Sequence, residues 1–393
     1  MTALTALLPH ALTFCPGCGS VALGESLSLA QQPVILNYRF ATAEAARSVA
    51  RRDMLLRECN DCGLVFNAIL DSKAIPYDER YENRQNFSAG FLAMLEQTAS
   101  TLANRYSLKG GAVLEVGCGK GDFLHLLCER AQCRGLGFDT SCEVVGAQTD
   151  RRVTFFQRYV TPEDVTEKIN LIVCRHVVEH VPQIGDFFQL LHRLAVAGGG
   201  SAVYVETPAL EWIVEHHAFW DVFYEHCNYF QTGTLRRLAE KAGFTVLDHR
   251  RIFGGQYQAL ELRTASSDTA RPDEPPQTTP LLCTFARDLA NSVNEVISKL
   301  MEAGASNGWA IWGAGAKGVS IAGALSHMPP LFVVDSNPAK QGTFIPGTNV
   351  PVVAPSDTRL GVIPVVLIVN SYYACEIREC LAHFDFHPNL VSL

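Results

Sequence analysis

Apolar residues in this chain fall into short runs bounded by glycine, with helical stripes between them. The clearest run is Ala112 to Val116, followed by a glycine cluster and a stripe at helical spacing from Asp122 to Arg130. Gly135 to Phe138, Asn170 to Cys174 and Gly200 to Glu206 repeat the strand pattern. Strands alternating with helices over residues 74–264 predict a largely parallel sheet. A helical stretch, Leu282 to Ala303, opens a second alternation of strand, turn, helix and strand that runs to residue 393. Residues 265–280 between them are rich in Ser, Thr, Asp and Pro, with Arg-Pro-Asp-Glu-Pro-Pro at 271–276, and predict a linker. Residues 1–73 hold one strand-like run, Pro33 to Tyr38, and little helical periodicity. The pattern therefore predicts an α/β chain of three units, 1–73, 74–264 and 281–393, without tandem repeats.

Composition narrows the function classes. The 393 residues are 48% hydrophobic and 18% charged, enough to bury ordinary cores. No apolar run approaches the ~18 residues of a membrane span. The longest, Val362 to Val369, is broken by Pro364 and predicts a buried strand. A net charge of −8 argues against a nucleic-acid partner held by phosphate contacts. The first 14 residues carry no Lys or Arg, so the basic start of a signal peptide is missing. Thirteen cysteines, an odd number, then read as reduced thiols plus a metal site, and a cytoplasmic protein is expected.

The metal site is predicted at Cys15-Pro-Gly-Cys18 and Cys59-Asn-Asp-Cys62. Each Cys-x-x-Cys turn aims two sulfurs at one point, and two turns complete a tetrahedral S4 shell for zinc. Gly19 and Gly63 follow the pairs and suit tight knuckles. The 40 residues between the pairs make this a zinc ribbon with an insertion. Four thiolates close the coordination sphere, so the zinc is expected to be structural. Cys128, Cys133, Cys142, Cys174 and Cys283 read as small buried apolar residues.

The glycine cluster carries the first chemistry. The strand ends in Glu115-x-Gly117-x-Gly119-x-Gly121, with Cys118 as a small side chain inside the loop. Glycines let backbone pass close to a cofactor, and the following helix N-terminus faces it. A dinucleotide loop reads Gly-x-Gly-x-x-Gly; this spacing, with its acid before the first glycine, resembles motif I of class I S-adenosylmethionine (SAM) methyltransferases. The next strand ends in Asp139, 24 residues past Glu115, where a carboxylate can accept ribose hydroxyls. Arg175-His176-Val-Val-Glu-His180 resembles the segment after strand four in these enzymes, where such a run flanks the cofactor through His176 and opens a helix. The resemblance also implies that Gln157 lies near the adenine.

A second segment, Trp220 to Phe230, places Glu225 and His226 among aromatics that exclude water, which suits a general base. Here the whole chain resembles a family of three-domain bacterial C-methyltransferases acting on nucleotide-linked deoxysugars. The four-cysteine module, Tyr77-Asp-Glu-x-Tyr81 with Gln85-x-Phe87-Ser88, motif I and the Glu225-His226 pair carry the resemblance. So do Gly313-Ala-Gly-Ala-Lys-Gly318 and the string Val334-Asp335-x-Asn337-Pro338-x-Lys340. It implies a SAM-binding Rossmann-like sheet flanked by an N-terminal zinc-binding module and a C-terminal Rossmann-like domain. It also implies that His226 removes a proton alpha to a ketone, with Glu225 in support and Tyr77 and His180 near the sugar. The chain departs from the family at two places near the substrate. Phe223 stands where a Tyr is usual, leaving Tyr224 as the nearby hydroxyl, and Phe253-Gly254-Gly255-Gln256 stands where His-Gly-Gly-Ser is common.

Two other classes remain open at this point. Gly313-x-Gly315-x-x-Gly318, with Asp335 17 residues on, is a dinucleotide fingerprint and predicts an NAD-dependent oxidoreductase. Arg47, Arg51, Arg52 and Arg57 cluster between the cysteine pairs, as in a non-catalytic zinc-ribbon interaction module. The C-methyltransferase reading expects a small-molecule substrate, no nucleic acid, no membrane, and a monomer or homodimer. A methyltransferase of a non-sugar metabolite is its nearest variant.

Overall fold

The structure is a computed structural model that describes residues 11–393 except 79, 85, 143–145, 148–151 and 266–279, and the side chains of 146–147. Gln85 and most of the expected linker lie outside the described residues. Three sheets organise the chain. The first is four-stranded: β1 (Leu23–Pro33), β2 (Arg51–Cys59), β3 (Val65–Asn67) and, from far along the chain, β10 (Asn228–Tyr229). A short helix, α1 (Ala43–Arg47), sits between β1 and β2.

The second sheet has eight strands in the order β11-β12-β9-β8-β4-β5-β7-β6. They are β4 (Ala112–Val116), β5 (Arg134–Phe138), β6 (Gly146–Ala147), β7 (Val153–Phe156), β8 (Leu171–Arg175), β9 (Ala202–Pro208), β11 (Phe244–Ile252) and β12 (Tyr257–Thr264). Strands β7, β5, β4, β8 and β9 run parallel, and β6, β11 and β12 pair antiparallel at the edges. Central strands of a parallel sheet are covered on both faces. Accordingly every residue of β4 is buried, including Glu115. Val113, Leu171 and Val173 pack beneath α2 (Ala89–Arg105) and α3 (Asp122–Ala131). Leu114, Ile172 and Val203 face α4 (Ile184–Ala197), α6 (Thr232–Lys241) and the cysteine module through one continuous core. A short helix, α5 (Leu210–Glu215), follows β9.

The third sheet is wholly parallel, in the order β15-β14-β13-β16-β17. Its strands are β13 (Ala310–Trp312), β14 (Phe332–Val334), β15 (Val352–Val353), β16 (Val365–Ile368) and β17 (Asn389–Ser392). Helices α7 (Leu282–Glu302), α8 (Ala316–Ala324) and α9 (Ala374–His383) belong to it. The buried Glu58 on β2 accepts the backbone N–H groups of Leu281 (3.2 Å) and Leu282 (3.1 Å) at the start of α7. These are groups that a helix start leaves without an intrahelical partner.

Four local expectations need correction, the first being Cys283, which lies exposed near the start of α7 rather than buried. Val34, Ile35 and Leu36 are buried but leave the sheet after Pro33, because Leu36 N–H bonds a distant carboxylate, Glu225, rather than a strand. The His176–His180 run forms one 3-10 turn, Val178–His180, and the helix begins only at Ile184. Of the Val362–Val369 run, only Val365–Ile368 is strand; Val362, before Pro364, is 84% exposed.

Candidate active site

The order of the second sheet reverses between β4 and β8, and ligands of such sheets settle outside the carboxyl ends at the reversal. The loop after β4 lies there. Gly117, Gly119 and Gly121 have φ of +73°, +54° and +87°, where side chains are strained. A Cβ on Gly117 would meet Val177 at 2.2 Å and one on Gly121 would meet Phe155 at 2.3 Å, so packing also fixes these two. A Cβ on Gly119 would meet only Asn83, at 3.8 Å; this glycine borders open space. Asp139, past β5, accepts from Gly119 N (2.9 Å) and from Ser141 N and Oγ (2.7 Å each). Glu115 is 2% exposed, its Oε2 has no partner, and burial pushes its carboxyl up to about 8. An orphaned buried acceptor beside a glycine-lined opening fits a bound SAM. Cys118 is buried in the loop, and Gln157 is exposed just past β7.

His176 follows β8 with φ +52°. Its ring nitrogens lie 3.4 Å from Glu179 and 3.0 Å from Glu206, and its ring meets Tyr257 edge-on at 4.7 Å. Burial opposes its charge, but the two carboxylates outweigh that and raise it to about 9. Glu206 is itself buried against Arg175 (2.9 Å).

The segment after α5 packs against the turn that follows β8. His226 is 9% exposed and packs against Phe223 (ring centroids 4.0 Å) and His180 (4.8 Å). Burial, aided by His180, His176 and Lys317, holds its pKa well below the ordinary imidazole value, and its Nδ1 has no partner. This is a neutral imidazole with a nitrogen to spare. His180 Nδ1 lies 2.8 Å from the Glu225 carbonyl, which can only accept, so Nδ1 carries the proton. Tyr77 Oη stands 3.0 Å from the same nitrogen.

Glu225 and Tyr224 do not take their expected places. The Glu225 carboxylate accepts from Leu36 N at 2.8 Å and turns toward the N-terminal module instead of toward His226. Burial pushes it up to about 8, against the pull of that N–H. Tyr224 is fully buried, and its hydroxyl accepts from Asp71 N at 2.9 Å. A turn at Tyr224-Glu225, closed by His226 N–H to the Phe223 carbonyl at 3.1 Å, folds the Phe223 ring onto His226, and Phe223 has no hydroxyl.

The second glycine-rich loop, after β13, repeats the construction of the first. Asp335 accepts from Ala314 N (2.7 Å) and Asn337 N (2.8 Å), as Asp139 does from its own loop. What differs is Lys317, whose Nζ crosses to the buried Asp221 at 2.9 Å, five residues before His226. In the N-terminal module, Cys15 and Cys62 Sγ lie 3.6 Å apart, as do those of Cys18 and Cys59, and all four fall within 4.8 Å of one another. Glu179, His180 and His226 also bring three ligand atoms within 4.8 Å.

Residues 90–249 match the family described as "Methyltransferase domain", and residues 276–386 match "C-methyltransferase C-terminal domain". The chain belongs to the SAM-dependent C-methyltransferase family. It is 28% identical over 293 residues to the C-methyltransferase NovU of Streptomyces niveus, covering 69% of each protein. Its sheet is also similar to the 1,6-didemethyltoxoflavin-N1-methyltransferase of Burkholderia thailandensis with S-adenosylhomocysteine bound. That likeness is 14% identity, TM-score 0.33, over 44% of this chain and 79% of the other. The magnesium protoporphyrin IX methyltransferase of Synechocystis gives 15%, TM-score 0.35, 45% and 84%.

The methyltransferase uses SAM as methyl donor, and its C-terminal match overtakes the oxidoreductase expectation for the second glycine loop. Glu115, Gly117, Cys118, Gly119, Gly121 and Asp139 lie at the carboxyl ends of β4 and β5, with His176 at the end of β8, and Tyr77, His180 and His226 are in successive contact beside them. The Lys317–Asp221 pair beside this region carries no local signal in the sequence. Lys317 sits in a motif whose local reading points to a dinucleotide, and nothing local links it to residue 221. No helix among the described residues is long and apolar enough to cross a membrane.

Proposed function

We propose that this C-methyltransferase methylates the carbon alpha to a ketone of a nucleotide-linked deoxysugar, with His226 as the base. The neutral, desolvated His226 with its unpaired Nδ1 carries the reading. In the reaction, His226 Nδ1 takes the alpha proton, and the C–H pair becomes the enolate. With the His180 proton held toward the Glu225 carbonyl, the Tyr77 O–H is free to donate to the enolate oxygen. Phe223 and the buried aromatic wall exclude water from the base. When bound, SAM supplies an electrophilic methyl group that the enolate carbon accepts. Asp139, Gly119 and Glu115 would hold it, with His176 presenting a positive edge. The whole-chain resemblance supports the sugar class, and the relationship to a C-methyltransferase supports carbon as acceptor.

The four cysteines are proposed to hold a structural zinc. A tetrahedral zinc with bonds of ~2.3 Å needs sulfurs about 3.8 Å apart. The 3.6 Å pairs fit that shell. A non-sugar keto metabolite is the second reading, favoured by Phe223 in ring contact with the base where the family usually has Tyr. Production of S-adenosylhomocysteine from a panel of nucleotide-linked keto sugars and free keto acids tests both. Turnover only on the keto acids would replace the first reading by the second.

A further inference from the structure

Nothing in the proposed reaction uses the second glycine-rich loop, although its spacing is that of a phosphate-binding turn. What the loop presents is a lysine. Gly313 has φ of +113°, and a Cβ on Gly318 would meet the Gly313 carbonyl at 2.0 Å. Glycine at both positions therefore lets α8 start hard against the loop. Lys317, in the first turn of that helix, is carried out of the C-terminal unit and onto the methyltransferase unit. Its Nζ lies 2.9 Å from Asp221 Oδ2 and 5.5 Å from the centre of the Trp212 ring on α5. Asp221 ends the 3-10 turn Phe219–Asp221 and is 3% exposed. An ion pair buried to this degree holds its partners in one arrangement, because losing either strands the other.

The pair reaches His226 by two routes. The backbone carbonyl of Asp221 faces the His226 ring as an acceptor, and the Lys317 charge opposes protonation of the same ring. The other polar groups around the imidazole come from four places. Glu179 and His180 stand in the turn after β8, with ligand atoms within 4.8 Å of His226. His176, at the end of β8, opposes its charge as His180 does. Tyr229 on β10 lies 6.3 Å away ring to ring, a phenol that burial keeps protonated. In the segment of His226 itself, burial pushes the Cys227 thiol up, and the Glu225 carboxylate turns away to Leu36 N. Of all these groups, only Lys317 comes from the C-terminal unit.

We propose that Lys317 and Asp221 are positioning residues for His226, through which the C-terminal unit fixes the orientation of the imidazole and keeps its lone pair available to the acceptor. The second glycine-rich loop then serves methyl transfer by delivering a cation. The inference rests on the reading of His226 as the base. Its test follows His226 directly, in full-length protein carrying nitrogen-15 histidine, where the His226 ring signal is the one missing from His226→Asn. In the wild type the neutral form should persist well below pH 6.5. In Lys317→Met, and in Lys317→Gln, which can still donate to Asp221, the titration should move up by about one pH unit, the scale of one lost neighbouring charge. Lys317→Arg keeps the charge and should leave the titration in place. A merely structural pair would instead lower the unfolding midpoint of the variants and leave the His226 titration unmoved. That result in a folded Lys317→Met or Lys317→Gln would overturn the proposal, and if one variant fails to fold, the other gives the same reading. Failure of the base reading looks different: turnover retained in His226→Asn would remove the base, while a titration moved in Lys317→Gln would leave the hold of the pair on the imidazole standing.

Discussion

At the residue scale the two proposed sites hold ionisable groups in opposite states. His226 is neutral because burial withholds solvation from its charged form, and His176 is charged because two carboxylates outweigh the same burial. His226→Asn keeps shape and removes the base. Turnover is expected to fall by ~10²-fold or more, with S-adenosylhomocysteine binding retained by calorimetry; retained turnover would remove His226 from the role. The acid limb of kcat/KM should lie below pH 6.5, since His226 must be charged to lose its function. For His176 the sign is opposite. Its pKa is raised on folding, so its stability contribution is complete below about pH 6.5 and lost as pH rises through about 9. Melting temperatures measured from pH 6 to 10 should fall less steeply in His176→Gln than in the wild type. Glu115 pays a cost of a third kind: its burial penalises the ionised form at neutral pH. Glu115→Gln is expected to raise the melting temperature of the unliganded protein at pH 8 and to weaken SAM binding, both measurable on one preparation.

At the element scale, legibility follows contact distance along the chain. Strand β4 was read from sequence at its observed bounds, Ala112–Val116, and Asp139 was expected at the end of the next strand. A central parallel strand is apolar on both faces and ends at a loop that must be glycine, so its signal is local. Strand β10 is two residues long and exists only because Asn228 and Tyr229 meet Phe66 and Val65. The turning of Glu225 toward Leu36 spans 189 residues, and no periodicity encodes it. The same limit hid the Lys317–Asp221 pair, which joins α8 to the segment before His226. Removing one member of a buried pair strands the other, at a typical cost of ~3–5 kcal/mol. Lys317→Met should therefore destabilise by ~3 kcal/mol in denaturant unfolding, and Asp221→Asn added to it should restore part of the loss. An unchanged midpoint in Lys317→Met would show that the pair contributes nothing.

At the scale of the whole molecule, the cysteine module is built into the enzyme rather than appended to it. Cys15, Cys59 and Cys62 share a core with Leu114, Phe188 and Leu238, and Thr234 Oγ1 on α6 donates to the Cys62 carbonyl at 2.7 Å. Metal analysis of purified protein is expected to give one zinc per chain; none would remove the zinc assignment, and two would implicate the Glu179, His180 and His226 group. Strong chelation should cost turnover as well as stability, because β3, beside the knuckle, holds β10 immediately after His226.

That pairing of β3 with β10 also limits how such enzymes can exchange parts. A chimera cut near residue 73 would import, with a foreign metal knuckle, a foreign partner strand for Asn228 and Tyr229 and a foreign Leu36 amide for Glu225. Recombination at that seam would thus disturb the proposed base, His226. Exchanges that keep residues 11–73 together with 219–230 should preserve turnover, so the heritable unit of acceptor chemistry here is two distant stretches of chain that must travel as one.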